Sequence, residues 1–485
     1  MHKIIPIVHI LSKLGVLFSI LLLVPTFVSY LFLDDALRAF GSTALVTIIA
    51  SCAIWLLTLQ YHRELRVRDG FTLVCMLWVG FALVAAMPFY LYFPHMSYTD
   101  ALFEAMSGLT TTGSTVITSL DTLAPSINFW RHMLNWLGGM GIIVLAVAIL
   151  PMLGVGGTQL FKAEIPGIDK DSKMAPRISQ VAKKLWLTYA CGTCVVLLAL
   201  HFAGMNWFDA FCHAMSTISL GGFSTHDDSI AYFNSQAIEL IVMAGTLFGA
   251  VNFVTHFSAF GARSPRRYWQ DEEFRIIVCV LFASIAAVSL YLWQKQYYPS
   301  LEEALRYTAF NFISVSLSSG FTNTDFGTWP LITALWMFFL ANILPSSGSM
   351  GGGIKNVRAI ILAKFSLREM LLLLHPNAVR NVKVNGRTIP ERTALTVMAF
   401  IFVYFMTVVL FTFFMMIAGM DFISAFGAVI ACITNSGPGL GSVGPAYNYA
   451  ALTDVQKWLC TAVMLLGRLE IFTVLILFTP PYWKK

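Results

Sequence analysis

Four segments of this chain repeat one pattern, in which a short, mostly apolar stretch ends in a run of small residues around a glycine. The segments begin at Asp100, Asp209, Tyr307 and Ser424, and in each the glycine stands 13 residues later. Such a stretch is too short to cross a bilayer, which takes about 20 helical residues. Irregular backbone at membrane depth is tolerated only where it is buried in protein or lines water. The pattern therefore predicts four re-entrant pore loops.

The remainder of the chain is apolar enough to need lipid as its solvent. Hydrophobic residues make up 57% of the 485 residues and charged residues 12%, whereas soluble domains carry about 25% charged residues. The sequence predicts an all-α polytopic membrane protein, embedded in the lipid bilayer, with about ten transmembrane helices. The predicted spans are residues 6–33, 43–60, 71–93, 129–152, 184–204, 236–258, 274–294, 331–363, 393–418 and 456–480.

The loops between these spans differ in charge, and the difference predicts their orientation. One set of loops, which we call the basic side, carries most of the cations, as do both termini. Its cations include Arg63, Arg66, Arg68, Lys162, Lys170, Lys173, Arg177, Lys183, Arg263, Arg266, Arg267, Lys364, Arg380, Lys383 and Arg387. The other set, the acidic side, has few cations and many carboxylates. The positive-inside rule places the basic side and both termini in the cytoplasm.

The pattern also divides the chain into units. Residues 1–68 are predicted to hold two N-terminal helices. Four pseudo-repeated helix–pore loop–helix units around a central pore are predicted at 69–160, 161–262, 263–378 and 379–485.

The runs around the four glycines are suited to binding a cation. They are Thr110-Thr111-Thr112-Gly113, Ser219-Leu220-Gly221-Gly222, Leu317-Ser318-Ser319-Gly320 and Thr434-Asn435-Ser436-Gly437. Extended backbone around an axis leaves carbonyls free to replace a cation's water shell, and glycine permits the dihedrals that turn successive carbonyls one way. We expect potassium as the substrate and no cofactor. Close helix packing through small residues is the alternative, but it does not explain a short helix followed by a hydroxyl-rich strand four times.

The eighth predicted span is interrupted by a proline, three serines and four glycines. This density breaks a helix, and its position after the third run predicts that it lies under the filter. We favour a movable gate, since glycine runs suit a hinge; a fixed kink is the alternative. The predicted gate residues are Ser346, Ser347, Gly348, Ser349, Met350, Gly351, Gly352, Gly353 and Lys355, together with Arg468 of the last span.

Arg468 lies near the middle of the last predicted span, two positions before Glu470. On a helix that spacing points the two side chains in different directions. A mid-bilayer arginine is costly and faces a partner or water. We therefore expect Arg468 to face the pore or a filter loop as an electrostatic barrier, rather than to pair with Glu470.

The four runs resemble the filter strands of the Trk/Ktr/HKT superfamily of potassium transporters, over nearly the whole chain from about Ser97. Gly154-VGGTQLFKAEIPG and His375-PNAVRNVKVNGR resemble family signatures, and the two additional N-terminal spans resemble the bacterial TrkH branch. One departure is Glu303-Ala304, which resembles the Asp-Ala start of the first two units but lies four residues early. It leaves the start of the third pore helix open.

The resemblance implies a potassium-uptake subunit of the bacterial inner membrane that forms a homodimer. It also implies a cytoplasmic, nucleotide-binding regulatory ring (TrkA-like) as partner, the four glycines as filter residues, Ser346–Gly353 as the gating loop and Arg468 in the pore. The chain has no G-x-x-x-x-G-K-[ST] motif of its own, so uptake would be driven by the membrane potential and not by ATP hydrolysis here. We expect no nucleic-acid partner.

Residues 382–389 predict a small hairpin on the basic side, because Asn385-Gly386 is flanked by alternating apolar residues. A hairpin this small is marginal alone, so docking onto another protein is expected, with anionic lipid as the competing target.

Two other functions stay open. A secondary transporter that couples potassium to protons or sodium (symport) would also contain broken helices, but it does not need four equivalent re-entrant strands. An intramembrane protease is suggested by Ser347 and scattered histidines. Because no catalytic pair shares a convincing depth, we predict that the chain is not an enzyme.

Overall fold

The computed structural model describes residues 4–60, 67–144 and 174–483, and its regular secondary structure within them is helical apart from one two-stranded hairpin. The first half contains α1 (Ile5–Leu21), α2 (Leu23–Phe32), α3 (Leu37–Thr58), α4 (Val67–Tyr92), α5 (Tyr98–Leu109), α6 (Pro125–Val144), α7 (Met174–Phe202), α8 (Trp207–Ser219), α9 (Gln236–Ala250) and α10 (Phe253–Gly261). The second half contains α11 (Arg266–Gln270), α12 (Glu272–Gln294), α13 (Leu301–Ser316), α14 (Leu331–Ile343), α15 (Asn356–Leu374), β1 (Lys383–Val384), β2 (Arg387–Thr388), α16 (Glu391–Ile417), α17 (Phe422–Ile433), α18 (Asp454–Arg468), α19 (Ile471–Leu475) and α20 (Pro480–Trp483). The signature predicted at 154–167 lies outside the described residues.

Long apolar helices make this a multi-pass membrane protein. Within the described residues, six helices are long and apolar enough to cross a bilayer, and two bent pairs bring the number to eight if each pair is one span. These eight coincide with eight of the ten predicted spans. The predicted span at 129–152 is helical over α6, and its remaining residues lie outside the described part of the chain. The predicted span at 331–363 is α14, an irregular segment and α15.

Two spans that the sequence suggested to be continuous are broken. The chain bends by 97° between α9 and α10, and by 111° between α18 and the segment that begins with α19. At the first break Asn252 caps α10 by accepting the Val254 amide over 2.9 Å. At the second, Glu470 has a φ of 59°, which a helix cannot contain. Neither break holds a proline, so apolar composition alone did not reveal them.

Short helices occupy the four positions where pore loops were predicted, and these are α5, α8, α13 and α17. Each starts with the same bond, in which an N-cap side chain accepts the amide three residues ahead. The caps are Ser97, Asn206, Ser300 and Asp421. Helix α13 has 16 residues where the others have 12 or 13. The early Glu303-Ala304 is thereby explained, since α13 begins about one turn sooner.

The last unit packs against the first, so the units close on one another. Helix α18 contacts α5, and Lys457 Nζ lies 2.6 Å from Asp100 Oδ1 across this contact. Between the second and third units, Arg306 of α13 pairs with Glu239 of α9 at 2.8 Å. The four short helices are surrounded by the longer ones, and their buried side chains join one core.

The hairpin predicted on the basic side is present, with Val384 paired to Arg387 across an Asn-Gly turn. Val382 and Val384 are buried with Ile360, Ile361 and other side chains of α15 and α16. The apolar face of the hairpin therefore docks onto its own chain, which differs from the expectation that another protein would cover it. Arg387 and Thr388 remain exposed.

Candidate functional site

The four short helices end in the same way. The residue two before each glycine has left-handed backbone, and these residues are Thr111, Leu220, Ser318 and Asn435. In all four, its amide bonds the carbonyl three residues back, and the next amide bonds the carbonyl five residues back, over 2.7 to 3.3 Å. This pair of bonds is the Schellman motif, which usually has glycine at the left-handed position. The sequence gives no hint of it, because none of the four residues is glycine.

The glycines that follow lie where neighbouring segments approach most closely. Gly113, Gly222, Gly320 and Gly437 all have positive φ, between 69° and 84°. A Cβ added to any of them would meet a backbone oxygen of the next segment within 2.3 to 2.8 Å. In the same order, those oxygens belong to Gly221, Ser319, Ser436 and Thr112. Each segment thus touches the next and the fourth touches the first, so the segments form a closed ring that only glycine fits.

Unbonded carbonyls line this ring. The three residues before each glycine are buried, and their carbonyls accept no hydrogen bond from any residue that the structure describes. Buried carbonyls are nearly always paired with protein or water. Twelve such groups in four related positions therefore form a ready set of oxygen ligands for a cation.

One cavity of about 100 Å³ is lined by all four ring glycines. Its other walls come from residues that follow each glycine, including Ser114, Ser224, Thr322 and Pro438. His226 also lines this cavity, and its hydrogen bond to Asp121 holds the pKa of that carboxyl below its usual value. Because these lining residues follow the glycines in the connections of the acidic side, the cavity lies on the acidic side of the ring.

A buried arginine that the sequence analysis assigned no role supports the ring from this side. Arg131 pairs with Glu104 at 2.7 Å, and both side chains are at most 1% exposed. Arg131 also donates to the Ser224 carbonyl over 3.0 Å, while Glu104 accepts the Val116 amide over 3.0 Å. The pair thus ties together the backbone that follows the first and second glycines. A Glu inside a short apolar helix was the signal available in the sequence.

The fourth segment is held by hydroxyl groups. The Gly437 carbonyl accepts from Ser114 and from Tyr449, both over 3.0 Å. Tyr449 is 2% exposed, and the sequence analysis did not single it out.

The interrupted stretch of the third unit, residues 344–355, lies against the opposite end of the ring. A Cβ on Gly352 would fall 2.5 Å from the Thr434 carbonyl oxygen, and one on Gly351 would fall 3.6 Å from that of Leu317. Ser346, Ser347, Ser349 and Met350 are buried within the same stretch. We call this stretch the intramembrane loop. Its location under the predicted filter is as expected.

The break between α9 and α10 fits the intramembrane loop. The amides of Ser346 and Met350 donate to the carbonyls of Ala250 and Gly249 over 3.1 and 3.3 Å. In return, the Phe253 amide donates to the Gly348 carbonyl over 3.3 Å. The backbone groups that one broken helix leaves unpaired are therefore hydrogen-bonded by the other, as backbone at membrane depth requires.

Arg468 also holds the intramembrane loop. It donates to the Met350 carbonyl over 2.6 Å and to the Gly138 carbonyl of α6 over 2.8 Å. Glu470 pairs instead with Arg358, at 2.6 Å. Arg468 therefore contacts backbone of the first and third units and not Glu470. Lys355 closes the loop with a φ of 71°, directly before α15.

Comparisons with known proteins identify the family of this chain. The family model described as "TrkH: Cation transport protein" matches residues 37–485. The chain belongs to the TrkH family.

Full-length relatives agree. The Trk system potassium uptake protein TrkH of Escherichia coli K12 is 43% identical to this TrkH-family chain, over 99% of each of the two chains. The Trk system potassium uptake protein TrkG of the same organism is 35% identical, over 99% of this chain and 98% of its own length. The crystal structure of the potassium transporter TrkH from Vibrio parahaemolyticus superimposes with a TM-score of 0.90 at 40% identity, covering 99% of this chain and 100% of that one. The chain is therefore a transport protein and not an enzyme.

Proposed function

We propose that this TrkH-family chain takes up potassium through a channel-like filter formed by the four glycine-centred segments. One observation carries the proposal: a closed ring of four glycines with twelve buried, unbonded carbonyls. Relatives named for potassium uptake support potassium as the ion. The residues that would bind it are those of the four segments, 110–113, 219–222, 317–320 and 434–437.

Permeation then follows from the geometry. A cation leaves water in the cavity above the glycines and exchanges its hydration shell for carbonyl oxygens. The four segments differ in sequence, so the ring is less regular than one built from identical subunits. We expect selectivity for potassium over sodium, though weaker than in a fourfold-identical filter. The membrane potential supplies about 2.3 kcal/mol per charge per 100 mV.

The intramembrane loop is proposed as the gate of this pathway. It lies against the inner end of the ring, and Arg468 fastens it to α6 and α18. Movement of the loop would require loss of the two Arg468 bonds and of its bonds to the broken second unit. Arg468 acts in this proposal as a tether, and its charge adds the barrier to cations that the sequence suggested.

The setting of the protein is also a proposal. The basic loops favour an inner-membrane orientation with both termini in the cytoplasm. The relatives are named as parts of a Trk system, which supports additional subunits. We propose a homodimer bound to a cytoplasmic nucleotide-binding regulatory ring.

Rubidium uptake into liposomes that contain the purified chain tests the function. An inside-negative potential should drive uptake that potassium blocks at lower concentration than sodium. Gly113→Ala should reduce this preference, while Gly80→Ala is the matched control, since a Cβ on Gly80 meets no atom within 4 Å. Equal block by both ions in the unmodified chain would contradict a potassium filter.

A coupled secondary transporter is the second candidate, because three helices are broken within the described chain, at 251–252, 344–355 and 469–470. Broken helices of this kind bind substrate and coupling ions in transporters. A sodium or proton gradient, applied with the potential clamped at zero, would drive rubidium uptake only in that case.

A further inference from the structure

Three consecutive carboxylates begin α12 on the basic side, and each is bonded to a different part of the molecule. They are Asp271, Glu272 and Glu273. We call them the acidic triad. The mechanism proposed above does not use any of them.

Glu273 contacts the intramembrane loop directly. Its Oε2 accepts the Ser347 amide over 2.8 Å, and the residue is only 2% exposed. A buried amide that loses its acceptor costs about 1–3 kcal/mol. This bond therefore holds the loop in its observed position.

Glu272 contacts the hairpin formed by β1 and β2. Its amide donates to Asn385 Oδ1 over 2.8 Å, and its carboxylate accepts the Asn385 amide over 3.1 Å. Lys364 of α15 donates to the same carboxylate over 2.6 Å and to the Lys383 carbonyl over 2.7 Å. The tip and one strand of the hairpin are thus fixed to the start of α12.

Asp271 provides a second connection. Its Oδ1 accepts from Asn385 Nδ2 over 3.2 Å, and its Oδ2 accepts from Thr255 of α10 over 2.8 Å. Helix α10 begins at Phe253, whose amide bonds the Gly348 carbonyl of the loop. Two short routes therefore lead from Asn385 to the loop, one through Glu273 and one through α10.

The hairpin has one buried, anchored face and one exposed face. Val382 and Val384 anchor it to α15 and α16, while Lys383, Arg387 and Thr388 are exposed. Asn385 has a φ of 48° at the tip of the turn, as an Asn-Gly turn requires, and its side chain is held by its bonds to Glu272 and Asp271. The hairpin is therefore linked to the acidic triad through Asn385 and Lys364.

We infer that the acidic triad couples the hairpin on the basic side to the intramembrane loop, with Glu273 as the positioning residue that holds the loop in place. The inference rests on the loop being the gate of the proposed function. It adds the route by which a protein bound at the hairpin would open or close that gate.

Loop movement can be measured separately from ion flux. A cysteine placed at Ser347, which is 5% exposed, would be modified by a small thiol reagent and quantified by mass spectrometry of its peptide. Asn385→Gly removes the two side-chain bonds but permits the positive φ. We expect this change to raise the modification rate at position 347 and the resting rubidium flux, each by about ten-fold, since bonds to charged groups contribute most.

Arg387→Gln is the matched control, since it alters the exposed face of the same hairpin and leaves the triad contacts intact. It should leave both rates as they are in the unmodified chain. Equal rate increases from Asn385→Gly and Arg387→Gln would overturn the coupling route.

A double-substitution cycle tests whether the signal passes through Glu273. Glu273→Ala should raise both rates, and Glu273→Gln, which retains an acceptor oxygen, should largely restore them. Asn385→Gly should add little on top of Glu273→Ala, because the principal route is already cut. Fully independent effects of the two changes would contradict the inference.

The same measurements separate this inference from the proposed gate. A higher modification rate without higher flux would mean that the triad positions the loop but that the loop does not close the pathway, which rejects the gate and the inference resting on it. Unchanged modification with a normal, potassium-preferring flux would reject the coupling alone.

Discussion

Asn435 donates from Nδ2 to the Thr112 hydroxyl over 2.9 Å, a bond between the last of the four segments and the first. The same amide group reaches the Met464 carbonyl of α18 over 3.2 Å. This contact between Asn435 and Thr112, which we call the ring seam, joins parts of the chain that are more than 300 residues apart. A side-chain bond here closes the ring where no connecting loop does.

Loss of the Asn435 side chain should loosen the ring at this seam. Asn435→Gly keeps the left-handed φ and removes bonds that contribute about 0.5–1.5 kcal/mol each. We expect a lower thermal unfolding temperature, measured by size-exclusion chromatography of heated samples. We also expect a weaker preference for potassium over sodium. Ser318→Gly is the control for stability, because the Ser318 hydroxyl has no hydrogen-bond partner among the described residues. A larger loss of stability for Ser318→Gly than for Asn435→Gly would contradict this role.

Alanine at Gly113 should disturb the ring geometry itself. Its Cβ would fall 2.5 Å from the Gly221 oxygen, at a φ of +83°, where a side chain costs about 1–2 kcal/mol even without the clash. We expect sodium to compete more strongly for rubidium uptake by Gly113→Ala, with folding retained. Selectivity identical to that of Gly80→Ala would remove Gly113 from the filter.

Removal of the Arg468 tether should release the intramembrane loop. Arg468→Ala abolishes the bonds to Met350 and Gly138, each of which contributes about 1.5–3 kcal/mol as a charged hydrogen bond. We expect a resting rubidium flux several-fold above that of the unmodified chain. Arg468→Lys can make one of the two bonds and should be intermediate. Unchanged flux in both variants would show that the arginine has no part in gating.

A small side chain at Gly352 should push the loop from the ring. The Cβ of Gly352→Ala would lie 2.5 Å from the Thr434 oxygen and 2.8 Å from Asn435 Oδ1. Because both are part of the ring, the loop must move away, and resting flux should rise. Single-channel patch recording separates the two causes, since a displaced gate raises the open probability whereas an altered pore changes the single-channel conductance. A lower resting flux, with an unchanged thiol modification rate at position 347, would contradict the role of the loop as the gate.

Breaking the buried ion pair of Arg131 and Glu104 should destabilise the folded protein strongly. Arg131→Met leaves an unpaired buried carboxylate, which costs about 3–5 kcal/mol, and should sharply reduce the yield of folded protein. The double variant Arg131→Met with Glu104→Gln removes both charges and should recover much of that yield. Thermal unfolding in detergent compares the two. If the double variant is no better than the single one, the loss comes from packing and not from charge.

Much of the fold followed from the sequence because lipid imposes simple rules. Eight of the ten predicted spans lie on helices or bent helix pairs, since an uncharged apolar stretch of sufficient length has few alternatives. The positions of the four short helices were also predicted, because the regular spacing of the glycines sets where each helix must end. The roles of the individual site residues stay predictions, as do the unit boundaries, the orientation in the membrane and the partners.

The breaks at 251–252 and 469–470 were not predictable from composition. Neither break contains a proline, and at both of them the chain bonds residues that are distant in sequence. At the end of α9, the carbonyls of Gly249 and Ala250 accept hydrogen bonds from the loop of the third unit. A sequence reports local preference, whereas these bonds exist only once the units have packed together.

The sequence by itself therefore determined a multi-pass helical protein with four related short helices, each followed by a glycine. It did so because spacing and hydrophobicity act within a single segment. Only the tertiary structure decided that the glycines meet in one ring, that Arg468 holds Met350 and that Glu273 holds Ser347. Those contacts join residues that are far apart in the chain, and their geometry is fixed by packing rather than by local sequence.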